Sequence, residues 1–149
     1  MGSLILPASG LVYADANTVI YSMQRHPVYW PLLKPFWQAV RTTALEAVGS
    51  ELLLTETLIG PLRAGDSALQ TAFEQALLAS DILLLPITLA VLREAARLRA
   101  AIPALRTPNA IHAATAMISG CVLFLTNDNG FKAVPGLPVV TLDEVLAAP

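Results

Sequence analysis

The segment with the strongest structural signal is Arg106-Thr-Pro-Asn-Ala-Ile-His-Ala-Ala-Thr-Ala-Met-Ile-Ser-Gly120, which continues as Cys-Val-Leu-Phe-Leu-Thr126-Asn-Asp128. Thr107 is a favoured residue type at a helix N-cap. Pro108 suits the first helical position, because the N–H that it lacks would have no partner there. The small residues that follow predict a helix that begins at Asn109 and ends near Gly120, a typical C-terminal stop.

An apolar strand is predicted directly after this helix. Residues 122–125 are uniformly apolar, which is typical of a strand in a parallel sheet that is covered on both faces. Asp128 follows at the carboxyl end of this strand, where open α/β sheets bind their ligands. The pattern therefore predicts an α/β domain in which Asp128 belongs to a functional site.

The same segment resembles a known family. The run Arg-Thr-Pro-x-Ala-Ile-His-Ala-Ala-Thr-Ala, the helix that ends in Gly, the apolar strand and Thr-Asn-Asp-x-x-Phe are similar to the C-terminal half of PIN-domain ribonucleases. Within that family, the chain most resembles the VapC toxins of toxin–antitoxin modules, over about residues 11 to 142. It departs from the family pattern at Asn109, because the family usually has Asp at this position.

The composition predicts one folded domain over residues 1–149. Hydrophobic residues make up 55% of the chain and charged residues 13%, so it differs strongly from a disordered protein. The apolar runs are broken by Pro, Gly or a charge well before the roughly 18 residues that a membrane span needs. The net charge of −2 gives no overall attraction to nucleic acid, and the single Cys121 suits a reducing cytoplasm. We therefore expect a cytoplasmic protein with no membrane span, whose contact with RNA is local.

Short apolar runs alternate with helical patterns along the whole chain. Strands are predicted at residues 11–14, 51–54, 82–85, 122–126 and 138–141. This alternation favours a three-layer α/β/α domain with a mostly parallel five-stranded sheet. The resemblance to PIN domains implies the strand order 3-2-1-4-5.

Two acidic residues lie beside predicted strands in the first half of the chain. Asp15 lies between the first strand and a helical segment, a position that suits an N-cap as well as a functional carboxylate. Glu56 follows the strand predicted at 51–54, and the helix dipole alone favours an acidic residue in a first helical turn. The PIN family has its first and second acidic site residues at these places, so the resemblance favours a functional role for both.

The resemblance implies a metal-dependent catalytic site formed by Asp15, Glu56, Asn109 and Asp128. Mg²⁺ and Mn²⁺ prefer oxygen ligands, and a cation relieves the repulsion between clustered carboxylates. By resemblance, the metal ligands are Asp15, Glu56 and Asp128, which bind directly or through water. Thr126 and Asn17 would orient these ligands or water. Asn109 lacks the charge of Asp, and changes next to a ligand shell typically cost about 10–100-fold in metal affinity or activity.

His112 lies on the same predicted helix as Asn109 and is a candidate general base. Because its neighbours are apolar, a hydrogen-bonded histidine in the core is the favoured interpretation. The sequence contains no Cys/His cluster with zinc spacing and no Gly-rich phosphate loop, which disfavours zinc enzymes and nucleotide-binding proteins.

An amphipathic helix is predicted over residues 28–48, with large apolar side chains at spacings of three and four. Trp30, Phe36 and Trp37 form an aromatic stripe on it. Such a stripe is more often core or interface than a cofactor site. Proteins of the VapC type commonly form homodimers and bind a small antitoxin through their N-terminal helices. We therefore expect the stripe to face a partner chain.

Two hypotheses follow. The first is a metal-dependent endoribonuclease of the VapC type that cleaves RNA and is neutralised by a small antitoxin protein. The second is a degenerate PIN domain that binds RNA or a protein without cleaving. The three acidic positions favour the first hypothesis, whereas Asn109 and the lack of net positive charge favour the second.

Overall fold

The computed structural model describes residues 2–149, which form a five-stranded sheet with helices on both faces. The strands are β1 (Ser9–Ala14), β2 (Ala44–Ser50), β3 (Ile82–Leu85), β4 (Leu123–Thr126) and β5 (Val139–Thr141). The helices are α1 (Ala16–Met23), α2 (Trp30–Thr42), α3 (Leu52–Arg63), α4 (Ser67–Leu78), α5 (Leu89–Ala101), α6 (Thr107–Ser119) and α7 (Leu142–Ala147). A short 3₁₀ helix, Asn129–Ala133, follows β4.

The sheet is entirely parallel, with the strand order β3-β2-β1-β4-β5. The predicted three-layer α/β/α class and strand order are therefore confirmed. In the centre of the sheet, Tyr13 on β1 lies opposite Val48 on one side and Phe124 on the other. Because β1 and β4 are parallel neighbours, the residues that follow their carboxyl ends emerge at the same edge of the sheet.

Two hydrophobic cores cover the two faces of the sheet, and the alternation along β1 connects them. Val12 and Ala14 contribute to the core that includes residues of α1, α2, α3 and α7. Tyr13 points the opposite way, into the core formed with α5 and α6. This alternation is the period of two that a strand buried on both faces requires. Asp15 directly follows the last of these buried residues.

The second strand lies earlier in the chain than the sequence predicted. Residues 51–54, predicted as a strand, include the first turn of α3, and the strand is Ala44–Ser50. The prediction was wrong because Leu52 to Leu54 form an apolar run, whereas Ala44 and Glu46 are residue types that are rare in strands. Pairing with β1 and β3 on both sides overrides that weak local preference. As a result, Glu56 lies within α3 and does not follow a strand end.

Helix α2 is shorter than the pattern over residues 28–48 predicted, because that pattern continues into β2. Phe36 is fully buried and Trp37 is 8% exposed, both in the core of this chain. The indole Nε1 of Trp37 donates a hydrogen bond to Ser22 Oγ at 2.8 Å. Trp30 is half-buried and packs against the same core. The expectation that the aromatic stripe faces a partner is therefore wrong for Phe36 and Trp37.

Helix α6 begins at Thr107 with Arg106 as its N-cap, so the predicted N-cap at Thr107 lies one residue too late. Side-chain caps mark the starts of two other helices. Asp66 and Thr88 cap α4 and α5 by accepting hydrogen bonds from Leu69 N and Val91 N. Gly120 ends α6 in the left-handed conformation, with φ of 75°, which glycine adopts at little cost. None of the helices within residues 2–149 has the length and apolar character that crossing a membrane requires.

Candidate metal centre

Asp15 follows β1 and is the N-cap of α1. Its Oδ1 accepts a hydrogen bond from Thr18 N at 3.1 Å, and its Oδ2 accepts one from Thr126 Oγ1 at 2.5 Å. The residue is 5% exposed. Burial raises the pKa of the Asp15 carboxyl, although the hydrogen bonds from Thr126 and Thr18 partly oppose this rise. The N-cap interpretation of Asp15 is thus confirmed, and it coexists with a carboxylate whose charge a nearby cation would stabilise.

Asp128 lies two residues after β4 and caps the 3₁₀ helix. Its Oδ1 accepts from Gly130 N at 2.8 Å, and its backbone N–H donates to Thr126 Oγ1 at 3.0 Å. The Thr126 hydroxyl therefore links the backbone of Asp128 to the side chain of Asp15. A single buried threonine fixes the two aspartates relative to each other.

A second hydrogen-bond network holds the loop that carries Asp128. Asn127 Nδ2 donates to the hydroxyl oxygen of Tyr29 at 3.0 Å, and that hydroxyl donates to Asp143 Oδ1 at 2.8 Å. Asp143 N in turn donates to Asn127 Oδ1 at 2.9 Å. These three bonds connect the loop to the start of α2 and to α7.

Asn109 lies in the first turn of α6 and points toward Asp128. Its Nδ2 donates a hydrogen bond to Asp128 Oδ2 at 3.0 Å. An aspartate at this position would instead place a second carboxylate beside Asp128, and the two would repel each other without a cation between them. The amide therefore satisfies Asp128 in the absence of a metal.

Glu56 reaches the site from α3 and is bonded to a histidine of α6. His112 Nε2 and Glu56 Oε1 lie 2.5 Å apart, and His112 Nδ1 lies 2.5 Å from the Tyr13 hydroxyl. His112 is 1% exposed. The prediction of a hydrogen-bonded core histidine is confirmed. Sequence reasoning missed that one of its partners is a carboxylate of the candidate site.

These side chains line one cavity of about 200 Å³. Its lining residues are Asp15, Ala16, Asn17, Glu56, Arg106, Asn109, His112, Asp128 and Phe131. Five of the six residues predicted from the sequence therefore meet here, and the sixth, Thr126, is bonded to two of them. Arg106, the exposed N-cap residue of α6, was not predicted and adds a positive charge to the cavity. A larger open cavity lies along α4, but it gathers no comparable set of oxygen ligands.

The donor set of the 200 Å³ cavity fits a hard divalent cation, because carboxylate and amide oxygens dominate its lining. Within residues 2–149, however, no three His, Cys, Asp or Glu side chains lie close enough to hold a metal ion together. Mg²⁺ commonly keeps several waters and binds proteins through one or two carboxylates. The cavity therefore suits a hydrated ion held by few direct ligands.

Comparisons with known proteins agree with this architecture. The PIN domain family model matches residues 12–137, whereas a comparison with curated proteins gave no match. The fold is similar to that of VapBC2 from Rickettsia felis bound to a DNA fragment from their promoter, with a TM-score of 0.71 and 14% identity over 89% of this chain and 98% of that chain.

Two further solved structures have a similar fold. DNA-bound VapBC from Salmonella typhimurium has a TM-score of 0.68 and 17% identity, over 88% of this chain and 97% of that chain. FitAcB from Neisseria gonorrhoeae has a TM-score of 0.64 and 15% identity, over the same shares of the two chains, 88% and 97%. At these identities the likeness concerns the fold, whereas the family model extends from β1 to the turn before β5. The chain belongs to the PIN domain family.

Proposed function

We propose that this chain is a metal-dependent endoribonuclease of the VapC toxin type, which hydrolyses phosphodiester bonds of RNA. The observation that carries this proposal is the convergence of Asp15, Glu56 and Asp128 in one cavity of a PIN domain. All three carboxylates line the cavity, so a cation bound there would be attracted to each of them, directly or through water. The oxygen donors suit Mg²⁺ or Mn²⁺.

The side chains of the cavity have distinct tasks in this proposal. A bound Mg²⁺ or Mn²⁺ would activate water and stabilise the charge that develops on the phosphate. Asp15, Glu56 and Asp128 would bind the cation directly or through water, and Thr126 and Asn17 would orient these ligands. Arg106, at the exposed rim of the cavity, would pair with an RNA phosphate, because a guanidinium forms strong charge-assisted hydrogen bonds with phosphate oxygens.

The proposed partner is a small antitoxin protein. The solved structures with a similar fold include a toxin–antitoxin complex from Klebsiella pneumoniae and VapBC complexes from other bacteria, which supports a partner of this kind. A homodimer and a place of action in the cytoplasm are parts of the same proposal. The aromatic stripe of α2 no longer supports an interface, because Phe36 and Trp37 lie in the core.

A second candidate function is a PIN domain that binds RNA or protein without cleaving. The hydrogen bond from Asn109 to Asp128 favours it, because this bond satisfies Asp128 without a cation. The separation of the acidic side chains within residues 2–149 favours it as well. Both observations agree with a site that is weakened at Asn109.

The substitution Asn109→Asp distinguishes the nuclease from the non-cleaving binding domain. It adds a negative charge at the cavity with little change in shape, so Mn²⁺ affinity and RNA cleavage should both rise, by about 10–100-fold. Calorimetric titration with Mn²⁺ and cleavage of RNA in Mg²⁺ or Mn²⁺ measure the two quantities. Adding Asp15→Asn to the Asn109→Asp protein should remove the gain. If Asn109→Asp improves neither quantity, the non-cleaving binding domain becomes the better account.

A further inference from the structure

Three polar side chains from three separate elements form a continuous chain that leads from the core to the cavity. Tyr13 on β1 is fully buried, His112 on α6 is 1% exposed, and the side chain of Glu56 on α3 is 24% exposed. Both ring nitrogens of His112 are used, with distances of 2.5 Å to the Tyr13 hydroxyl and 2.5 Å to Glu56 Oε1. We refer to Tyr13, His112 and Glu56 as the triad.

The direction of the hydrogen bonds in the triad follows from donor and acceptor chemistry. A carboxylate oxygen can only accept, so His112 Nε2 carries the hydrogen and donates it to Glu56 Oε1. In the neutral ring, Nδ1 is then an acceptor, and the Tyr13 hydroxyl donates to it. The tyrosine thus selects the tautomer in which the histidine donates toward the cavity.

Packing fixes the inner end of the triad. The Tyr13 ring stacks on Phe124 with centroids 4.8 Å apart and planes inclined by 4°, and it meets the His112 ring edge-on at 5.7 Å. Phe124 in turn packs against Phe131, which lines the cavity. Tyr13 therefore has little freedom to rotate, and neither does the histidine bonded to it.

Glu56 is the member of the site that most needs such support. Asp15 is held by Thr18 and Thr126, and Asp128 by Gly130 and Asn109. Glu56 has a longer side chain that extends from α3, and its hydrogen bond within residues 2–149 is the one to His112. Without it, the Glu56 carboxylate would be free to occupy several rotamers and to turn toward solvent.

We propose that Tyr13 and His112 are positioning residues that hold Glu56 Oε1, so that the other carboxylate oxygen is presented to the cation. This inference rests on the proposed function, because it assigns the triad a role in binding the same Mg²⁺ or Mn²⁺. Buried partners that orient a ligand typically account for about 10–100-fold in metal affinity. A merely structural histidine would affect folding but not the affinity of the folded protein for the ion.

The dissociation constant of Mn²⁺, measured by electron paramagnetic resonance of the free ion, tests the proposal without relying on activity. This dissociation constant is measured for the wild-type chain and for the Asn109→Asp protein. Each is measured alone and with a substitution of a triad residue. His112→Leu should raise the dissociation constant by about 10–100-fold, because it removes the only donor to Glu56 Oε1 within residues 2–149. Tyr13→Phe should give a smaller rise, because the histidine remains but can adopt the other tautomer.

Two variants separate positioning from a general loss of packing. His112→Gln places an amide near the position of Nε2 and should restore part of the affinity that His112→Leu loses. Thr115→Val is the matched control. Thr115 is buried on the same helix, and its hydroxyl donates a hydrogen bond to the backbone carbonyl of Ile111. It should leave the dissociation constant unchanged even if it lowers the melting temperature.

A double-mutant comparison completes the test. In a Glu56→Ala background, His112→Leu should cause no further loss of Mn²⁺ affinity, because the group that it positions is already absent. If the parent proteins bind Mn²⁺ and His112→Leu leaves the affinity unchanged, the positioning role is overturned and the proposed function stands. If neither the wild-type chain nor Asn109→Asp binds Mn²⁺, the proposed function fails, and the inference fails with it.

Discussion

At the scale of single residues, Asp15 couples the candidate site to the stability of the protein. Its pKa is raised chiefly by burial, so the folded state holds this proton more tightly than the unfolded state does. The corresponding contribution to stability is fully present below the unfolded pKa and is lost as the pH rises through the folded pKa. Each unit of difference between the two values is worth about 1.4 kcal/mol.

Replacing Asp15 by Asn should therefore stabilise the metal-free protein increasingly as the pH rises. Asn keeps an acceptor for Thr18 N and carries no charge to desolvate. Urea unfolding of the wild-type and Asp15→Asn proteins in EDTA, from about pH 4 to pH 8, measures the difference in free energy of unfolding. We expect the difference to grow in favour of the variant across this range. A difference that is constant with pH would contradict the raised pKa of Asp15.

Single residues also mark the limit of what the sequence could reveal. Asp128 could be predicted from its position after an apolar strand, whereas Asp15 and Asn109 were assigned to the site by their resemblance to positions of the PIN family. Tyr13 and His112 lie 99 residues apart, and no spacing rule connects them. Their contact arises from the packing of α6 on the sheet, which a local pattern does not encode.

At the scale of elements, the turn from β2 into α3 determines where Glu56 lies. Gly49 is the last but one residue of β2, just before this turn, and a Cβ there would overlap Leu53 Cδ1 and lie 3.3 Å from Ala14 O. Leu53 is fully buried in α3, three residues before Glu56. The absence of a side chain at Gly49 therefore lets α3 pack directly against the ends of β1 and β2.

Gly49→Ala should destabilise the protein by about 1–3 kcal/mol, the usual cost of inserting a methyl group into a packed core. The side chains of Leu53 and Ile82 must repack, and Mn²⁺ affinity should fall in proportion to the displacement that this repacking causes at Glu56. Gly60→Ala on the same helix is the matched control, because a Cβ at Gly60 meets no atom within 4 Å. At that position the gain in helix propensity opposes the constraint from the following Pro61, so we expect little net change. Urea unfolding of both variants checks the prediction, and equal losses would argue against the close approach at Gly49.

The same pair of elements explains the main error in the predicted fold. The other four strands were predicted close to their observed bounds, because each contains a short apolar run. In the region of β2 and α3, the apolar run Leu52 to Leu54 belongs to the helix, whereas the strand includes Glu46, Gly49 and Ser50. The helical spacing of Val40, Ala44 and Val48 continues from α2 into β2, where pairing with β1 and β3 makes the chain extended.

At the scale of the whole molecule, the cavity joins residues from both halves of the chain, so an ion bound there should stabilise the entire fold. At a free ion concentration of 100 times the dissociation constant, binding adds about 2.7 kcal/mol to the free energy of unfolding. For a chain of this size that corresponds to a rise of roughly 5–10 °C in melting temperature. Thermal unfolding with increasing Mn²⁺ measures the effect. The Asp15→Asn protein should show a smaller rise at the same concentrations, and an equal rise would place the ion elsewhere.

The position of β4 beside β1 has a consequence for the order in which the site is assembled during synthesis. Asp15 and Glu56 leave the ribosome early, whereas Asn109 and Asp128 follow only after α5. Strand β4 must then pair with a strand that was made more than 100 residues earlier, since Val12 lies opposite Leu123. Pairing at such a separation is a slow and late step in folding. A nascent chain therefore carries an incomplete cavity for most of its translation. Under the proposed function, RNA cleavage would have to wait until that strand is in place.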